Sequence, residues 1–124
     1  FEKKITRDLR EEIARQNKTI SEIIIMASLI EKEVKTEKDK DLVSGILWKR
    51  LKIDMALQVD AERWTYENRG LPPAPICNPG IVSIKSAVYP EDSEYWYYLS
   101  TEEGQTIFSR TLEEHNVARA KYLK

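Results

Sequence analysis

The chain has 124 residues, which is enough for one compact domain and too few for two independent hydrophobic cores. Its 20 basic and 21 acidic side chains give a formal net charge of -1, so it has no global basic field to hold a phosphate backbone, and nucleic acid is not an expected partner. The longest apolar run, residues 23–30, is far shorter than the roughly 20 residues that span a bilayer, so no membrane contact is expected from this chain. The single cysteine, Cys77, and the single histidine, His115, leave a metal site without enough ligands.

Two helices are predicted at the start of the chain. In residues 2–16 an apolar side chain recurs every four positions among charged ones, which is typical of an amphipathic helix that links or docks. The second helix is expected at about 20–34. It begins at Thr19, which is followed three residues later by Glu22 in the spacing of a capping box.

A third helix is predicted from the capping residue Thr36 to about residue 53. Gly45 lies in its interior, where glycine costs ~1 kcal/mol relative to alanine, so we expect close packing of this helix against another backbone. Residues 54–80 lose all periodicity and are rich in proline and glycine, which predicts a structured loop without a regular helix. A short helix at about 82–89 should then end before Pro90.

The last third of the chain predicts a β-hairpin and a final helix. The aromatic and β-branched runs 95–99 and 105–108 are joined by a turn containing Gly104. Thr111 has the spacing of a third capping box and begins a helix to about residue 123, which is expected to carry Leu112, His115, Ala118 and Tyr122 on one side. His115 is expected to have a satisfied packing role there. The predicted fold class is therefore α+β, mostly helical, with one small antiparallel hairpin or sheet.

One acidic side chain is out of place on the second helix. Winding this helix at ~100° per residue puts Glu31 inside the apolar arc, and Glu33 on the opposite flank is the rival candidate. Apolar neighbours disfavour the charged carboxylate, so we expect the pKa of Glu31 to be raised, as a general acid requires. The ordinary alternative is a solvated glutamate that pairs with Lys32 or Lys35.

Several separated motifs resemble the YceG-like endolytic murein transglycosylases. They are residues 27–33 (ASLIEKE), 43–51 (VSGILWKRL), 57–60 (LQVD) and 70–80 (GLPPAPICNPG). The resemblance runs from about residue 19 to residue 124, with further matches in the tyrosine-rich hairpin and at 115–116. Between Asp60 and Gly70 most relatives carry a longer insertion, and Trp64 occupies the place of an asparagine in it.

The resemblance implies an enzyme that cleaves the β-1,4 glycan of peptidoglycan after N-acetylmuramic acid (MurNAc), before N-acetylglucosamine (GlcNAc). It assigns the catalytic role to Glu31 rather than Glu33. Glu31 would protonate the glycosidic oxygen and then, as a carboxylate, take the proton of the muramic acid's own C6 hydroxyl, which closes a 1,6-anhydro ring. This chemistry needs neither a metal nor an organic cofactor.

Four polar residues of these motifs are candidates for substrate binding. Gln58, Asp60 and Asn78 are suited to orient acetamido and hydroxyl groups or to steady charge near Glu31. Asp60 and Asn78 are equally typical of turns. Ser28, one helical turn before Glu31, is expected either to hydrogen-bond its carboxyl group or to permit close helix packing. Trp64, Trp96 and the tyrosines at positions 66, 95, 97 and 98 are candidates for stacking on sugars, and core filling is expected for about half of them.

The predicted organisation is a linking helix in residues 1–18 and a catalytic domain in residues 19–124. By resemblance, the intact protein has an N-terminal membrane anchor and a LysM-like domain, lies on the extracytoplasmic face of the bacterial membrane, and has peptidoglycan strands and cell-wall synthases as partners. The alternative function is a catalytically silent glycan-binding or scaffolding module. A pyridoxal-phosphate lyase is disfavoured, since the sequence offers no glycine-rich phosphate loop.

Overall fold

A computed structural model describes residues 5–123. These residues form six helices and one two-stranded antiparallel sheet, which confirms the predicted α+β class. The elements are α1 (Arg7–Arg15), α2 (Ile20–Glu33), α3 (Glu37–Lys52), α4 (Trp64–Glu67), α5 (Ile81–Val88), β1 (Tyr97–Ser100), β2 (Thr106–Ser109) and α6 (Leu112–Tyr122). No helix of residues 5–123 is both long and apolar enough to cross a membrane.

Threonine side chains begin the four longest helices. Thr19, Thr36 and Thr111 each accept a hydrogen bond from the backbone N–H three residues later, as their spacing predicts. Thr6 does the same for α1, which therefore begins at Arg7. Residues 2–4 of the predicted first helix lie outside the described part of the chain. Only Thr19 forms the complete capping box, with Glu22 bonding back to its own backbone N–H.

Helix α2 lies at the centre of the core. Residues 23–30 are all buried, which is the pattern of a helix covered on every side. Helices α1, α3 and α5 pack around it. The apolar side chains of the first segment, Ile5, Leu9 and Ile13, belong to this same core. Residues 5–18 are therefore joined to the rest by burial, and the description of segment 1–18 as a separate linking helix stays a prediction.

Gly45 confirms the expectation of close packing. A Cβ atom at this position of α3 would collide with the backbone carbonyl oxygen of Glu91. The backbone N–H of Glu91 also donates to the carbonyl of Asp41, one turn earlier on α3, at 3.0 Å. The missing side chain thus lets the segment between α5 and β1 lie directly on α3.

Two sequence-based expectations were wrong in detail. Residues 54–80 contain the one-turn helix α4 (Trp64–Glu67), because the prolines that exclude a helix all follow residue 71. Leu112, predicted on the apolar side of α6, is 53% exposed because it occupies the first turn of the helix, whereas Ala118 is buried. The hairpin is present, with β1 and β2 shifted by one or two residues from the predicted runs.

Candidate active site

Two glutamates in the last turn of α2 face different parts of the molecule. Glu31 and Glu33 are two residues apart, which places their side chains about 200° apart around the helix. Glu31 faces the start of α5 and a lysine of α3. Glu33 faces β1, where it meets Tyr98.

The carboxylate of Glu31 is held by three donors. Its Oε1 accepts hydrogen bonds from the backbone N–H of Gly80 at 2.8 Å and from the hydroxyl of Ser83 at 3.1 Å. Its Oε2 lies 3.4 Å from the Nζ atom of Lys40, whose side chain is only 8% exposed. Lys40 also donates to the Ser83 hydroxyl at 2.8 Å. Because this lysine is buried, its charge requires the carboxylate to be ionised.

The expected raised pKa of Glu31 was therefore wrong. The pKa of Glu31 is lowered from its ordinary value of 4.5, first by the hydrogen bond from the Gly80 backbone, and further by Ser83 and Lys40, while burial acts in the opposite direction. The helical periodicity correctly placed Glu31 against neighbouring elements, but those elements bring donors and a positive charge. At neutral pH Glu31 is a stable anion.

Glu33 has the properties that were expected of Glu31. Its pKa is raised from 4.5 by burial and by the negative charge of Asp60, while hydrogen bonds from the Tyr98 side chain and the Asp60 backbone act in the opposite direction. The hydroxyl of Tyr98 donates to Oε1 of Glu33 at 2.7 Å. Glu33 can therefore keep a proton to a higher pH than an ordinary glutamate.

A pocket of about 460 Å³ contains Glu33 and two of the predicted substrate-binding residues. Gln58 and Asp60 line it together with Tyr66 and Tyr98. Asp60 accepts a hydrogen bond from the Tyr66 hydroxyl. The pocket thus combines carboxyl, amide and phenol groups with aromatic surfaces, and its volume lies in the range of small-ligand sites.

The backbone of the pocket wall is held by a threonine. Thr65 of α4 is fully buried, and its hydroxyl accepts the backbone N–H of Val59 at 2.8 Å. The backbone N–H of Gln58 donates to the Thr65 carbonyl at 3.3 Å. These bonds hold a short turn that presents Gln58 and Asp60 to the pocket.

Arg50 is a pocket residue that the sequence-based analysis missed. Its guanidinium is buried and donates to the carbonyl oxygens of Ala56, Leu57 and Trp96 at 2.7–3.2 Å. It therefore ties the segment before Gln58 to the residue before β1. The sequence signal that could have identified it is the position of Arg50 within the long apolar stripe of α3.

The other predicted site residues lie outside this pocket. Ser28 is fully buried, and its hydroxyl donates a hydrogen bond to the Ile25 carbonyl at 2.6 Å. The same hydroxyl accepts a hydrogen bond from the Ile76 N–H at 3.1 Å. Ser28 therefore holds the loop before α5 and does not hydrogen-bond Glu31. Asn78 is exposed in this loop. Glu31 does not line this pocket, so the structure brings together Glu33, Gln58 and Asp60 and not Glu31 with Gln58 and Asn78.

His115 is not satisfied as predicted. Its ring stacks on Tyr97 with a centroid distance of 5.2 Å, but its buried Nδ1 atom has no hydrogen-bond partner within residues 5–123. Of the aromatic candidates for sugar stacking, Tyr66 and Tyr98 line the pocket, and Tyr95 instead stacks on Phe108. In the same described range, no three His, Cys, Asp or Glu side chains are grouped to hold a metal ion.

Comparison with known proteins gives the same family at the level of sequence. The sequence profile of the YceG-like family matches residues 1–63 and 64–121. An endolytic murein transglycosylase of Bacillus subtilis (strain 168) is 31% identical over 136 residues, which cover 92% of this chain and 38% of the relative. One from Streptococcus pneumoniae serotype 2 is 26% identical, covering 84% of this chain and 24% of the relative.

A solved structure agrees with these relatives. The crystal structure of a yceG-like protein from Listeria monocytogenes matches with a TM-score of 0.82 and 35% sequence identity, over 90% of this chain and 44% of the other. The chain thus spans less than half the length of each of these relatives. Because the profile covers nearly all of its residues, the chain belongs to the YceG-like family.

Proposed function

We propose that this chain is the catalytic part of an endolytic peptidoglycan lytic transglycosylase and that Glu33 is its acid and base. Relatives that carry the name endolytic murein transglycosylase support the reaction class. The observation that carries the assignment is the raised pKa of Glu33 inside a pocket that also contains Gln58 and Asp60. The substrate in this proposal is the MurNAc-β-1,4-GlcNAc bond of the glycan strand.

In the first step, protonated Glu33 donates its proton to the glycosidic oxygen as the bond from this oxygen to C1 of the muramic acid breaks. The resulting carboxylate then accepts the proton of the C6 hydroxyl, whose oxygen bonds to C1 and closes the 1,6-anhydro ring. No water is consumed, and Glu33 ends the cycle protonated. The substrate's own hydroxyl is already close to C1, which supplies the proximity that a free nucleophile would lack.

The neighbours of Glu33 assist both steps. The hydroxyl of Tyr98 stabilises the carboxylate that exists between the two proton transfers. Asp60, whose negative charge raises the pKa of Glu33, favours the protonated starting state. Gln58 is exposed at the pocket and can hydrogen-bond an acetamido group of the sugar.

Glu31 takes a different part in this proposal. As an anion with three donors, it joins the end of α2 to Lys40 and to the start of α5. It then acts as a positioning residue that keeps the last turn of α2, and hence Glu33, in place. The resemblance-based assignment of catalysis to Glu31 stays a prediction that the following experiment also tests.

The decisive experiment compares two matched substitutions, Glu33→Gln and Glu31→Gln. Purified sacculi are incubated with the wild-type protein and each variant, and 1,6-anhydro muropeptides are quantified by mass spectrometry. Glu33→Gln should lower product formation by at least about a hundredfold, the usual contribution of general acid–base catalysis, while glycan binding persists. Glu31→Gln should keep most of the activity at a temperature where it remains folded.

The reverse result would assign the acid to Glu31 and refute this part of the proposal. Circular dichroism and thermal melting of both variants separate a loss of chemistry from a loss of fold. If the wild-type protein binds glycan and releases no anhydro products, the alternative of a catalytically silent glycan-binding or scaffolding module is correct. The membrane anchor, the extracytoplasmic location and the cell-wall synthase partners stay predictions.

A further inference from the structure

The pocket of Glu33 is also lined by positively charged side chains that have no role in the proposed reaction. Lys32 of α2, Arg50 of α3 and Arg119 of α6 all line it. None of the three is in an ion pair with another residue of the described range 5–123. Lys32 and Arg119 are exposed, whereas Arg50 is buried and has only carbonyl partners. The pocket therefore has acceptor groups at Glu33 and Asp60 and unpaired cations beside them.

The cations of α3 and α6 are close neighbours. The Arg50 guanidinium lies 5.1 Å from the centre of the Tyr97 ring, and the His115 ring stacks on Tyr97 at 5.2 Å. Arg119 follows His115 by one helical turn on the same face of α6. Burial lowers the pKa of His115, and the positive charges of Arg119 and Arg50 lower it further. The His115 imidazole is therefore neutral and lies within electrostatic reach of both guanidinium groups.

The Nδ1 atom of His115 is buried without a hydrogen-bond partner in the described residues. A buried polar atom without a hydrogen bond is costly, so native structures seldom leave one unless a ligand or water completes it. Here the atom belongs to a residue of the pocket wall. A negatively charged group in the pocket could meet the exposed guanidinium of Arg119, one helical turn from His115.

The substrate offers such a group beside the scissile bond. The glycan backbone of peptidoglycan is uncharged, but each muramic acid bears a lactyl group from which a peptide with free carboxylates extends. We propose that Arg119, with Arg50 and His115 behind it, forms a subsite for a carboxylate of this stem peptide. The proposal rests on the proposed function, which places a muramic acid at Glu33, and makes Arg119 a residue that determines specificity for peptide-bearing glycan.

A binding experiment tests this subsite without relying on catalysis. GlcNAc–MurNAc disaccharides with and without the stem peptide are titrated into the protein and followed by calorimetry or NMR. The wild-type protein should bind the peptide-bearing ligand about three- to tenfold more tightly, as one partly exposed charge-assisted contact allows. Arg119→Gln should abolish this preference and leave affinity for the peptide-free ligand unchanged, and Arg119→Lys should restore part of it.

The matched control is Arg10→Gln, which removes an exposed arginine of α1 far from the pocket lining and should bind both ligands as the wild type does. Equal wild-type affinity for the two ligands, binding of neither, or an equal loss of both in Arg119→Gln would overturn the subsite. Stronger Arg119-dependent binding of a glycerol phosphate oligomer than of the stem peptide would also overturn it. If Glu33→Gln still yields anhydro products while the stem-peptide preference persists, the catalytic assignment fails and the subsite stands.

Discussion

The two sides of the last turn of α2 hold the same side chain in opposite chemical states. On one side, Glu31 meets Gly80, Ser83 and Lys40, all of which favour its anion. On the other, burial and the charge of Asp60 favour the protonated form of Glu33. Both carboxyl groups lie against neighbouring elements, so contact with the core does not by itself raise a pKa. The balance between burial and hydrogen-bond donors decides the direction of the pKa shift: burial is the largest effect at Glu33, and the hydrogen bond from Gly80 is the largest at Glu31.

The difference separates a structural role from a chemical one. A carboxylate with three donors contributes to stability while it is ionised and offers no proton near neutral pH. A carboxyl group that resists ionisation contributes little to stability at neutral pH but can deliver a proton. Substitution of the two glutamates should therefore lower stability at Glu31 and catalysis at Glu33, and four variants test how independent the two sides of α2 are.

The largest effect on stability is expected from Arg50→Met, which changes only the Glu33 side. The substitution leaves three carbonyl oxygens around the buried guanidinium without donors, which should lower the free energy of unfolding by about 3 kcal/mol. Urea denaturation measures this loss. Hydrogen exchange should accelerate at residues 56–58 and 96–98, and be unchanged at residues 80–83.

Arg50→Lys is the control for this variant, because lysine keeps the positive charge but lacks the planar set of guanidinium N–H donors. It should recover part of the stability. An equal increase of exchange at residues 80–83 would contradict the independence of the two sides.

Glu31→Gln is expected to have the next largest effect, a loss of about 1–2 kcal/mol at pH 7, since Lys40 keeps a buried charge without its counter-ion. The pKa of Glu31 is lowered in the folded state, so its contribution is complete above the ordinary value of 4.5 and is lost as the pH falls through the folded-state value. Denaturation at pH 7 and near pH 3 measures this dependence. A difference from the wild type that stays constant with pH would refute the charge as its cause.

Glu33→Gln should have the opposite sign and a smaller size. The pKa of Glu33 is raised in the folded state, so the wild-type carboxyl contributes stability below the ordinary 4.5 and loses it as the pH rises through the folded-state value. The amide does not ionise, so at pH 7 the variant should be more stable than the wild type by up to about 1 kcal/mol. A gain that disappears below pH 4.5 is the expected signature in the same denaturation series. Destabilisation at pH 7 would show that Glu33 is held as an anion.

The smallest effect is expected from Tyr98→Phe. The Tyr98 hydroxyl donates to the Glu33 carboxylate, so its removal should raise the pKa of Glu33 further. Carbon-detected NMR of the Glu33 carboxyl group measures the titration, and the pH profile of activity should move in the same direction. Tyr95→Phe is the matched control, because Tyr95 stacks on Phe108 outside the pocket and should leave the titration unchanged.

The helices were predictable because their signals are local. Threonine caps and apolar periodicity placed the starts of α2, α3 and α6 within a residue. The close packing of another backbone at Gly45 was predictable for the same reason, since a glycine inside a helix is unfavourable unless packing requires it. The single turn of α4 was missed because four residues carry no helical period.

The choice between Glu31 and Glu33 was not predictable from periodicity. Periodicity shows which side of a helix is covered, and both side chains lie on covered flanks. Whether the covering element supplies donors depends on Lys40 and Ser83 for one residue and Tyr98 for the other, which lie 9, 52 and 65 positions away in sequence. The motifs did identify Gln58 and Asp60, because they follow in one short segment that enters the pocket as a unit.

The backbone of Gln58 has a consequence for how this chain can be improved. Its φ angle of 54° lies in the left-handed region. A residue other than glycine in this conformation destabilises the folded state by about 1 kcal/mol. Leu57 and Val59 on either side are buried, so the strained residue cannot shift without disturbing the core. Glycine would relieve the strain and remove the amide from the pocket. Directed evolution for heat tolerance and directed evolution for glycan recognition should therefore select different residues at this position.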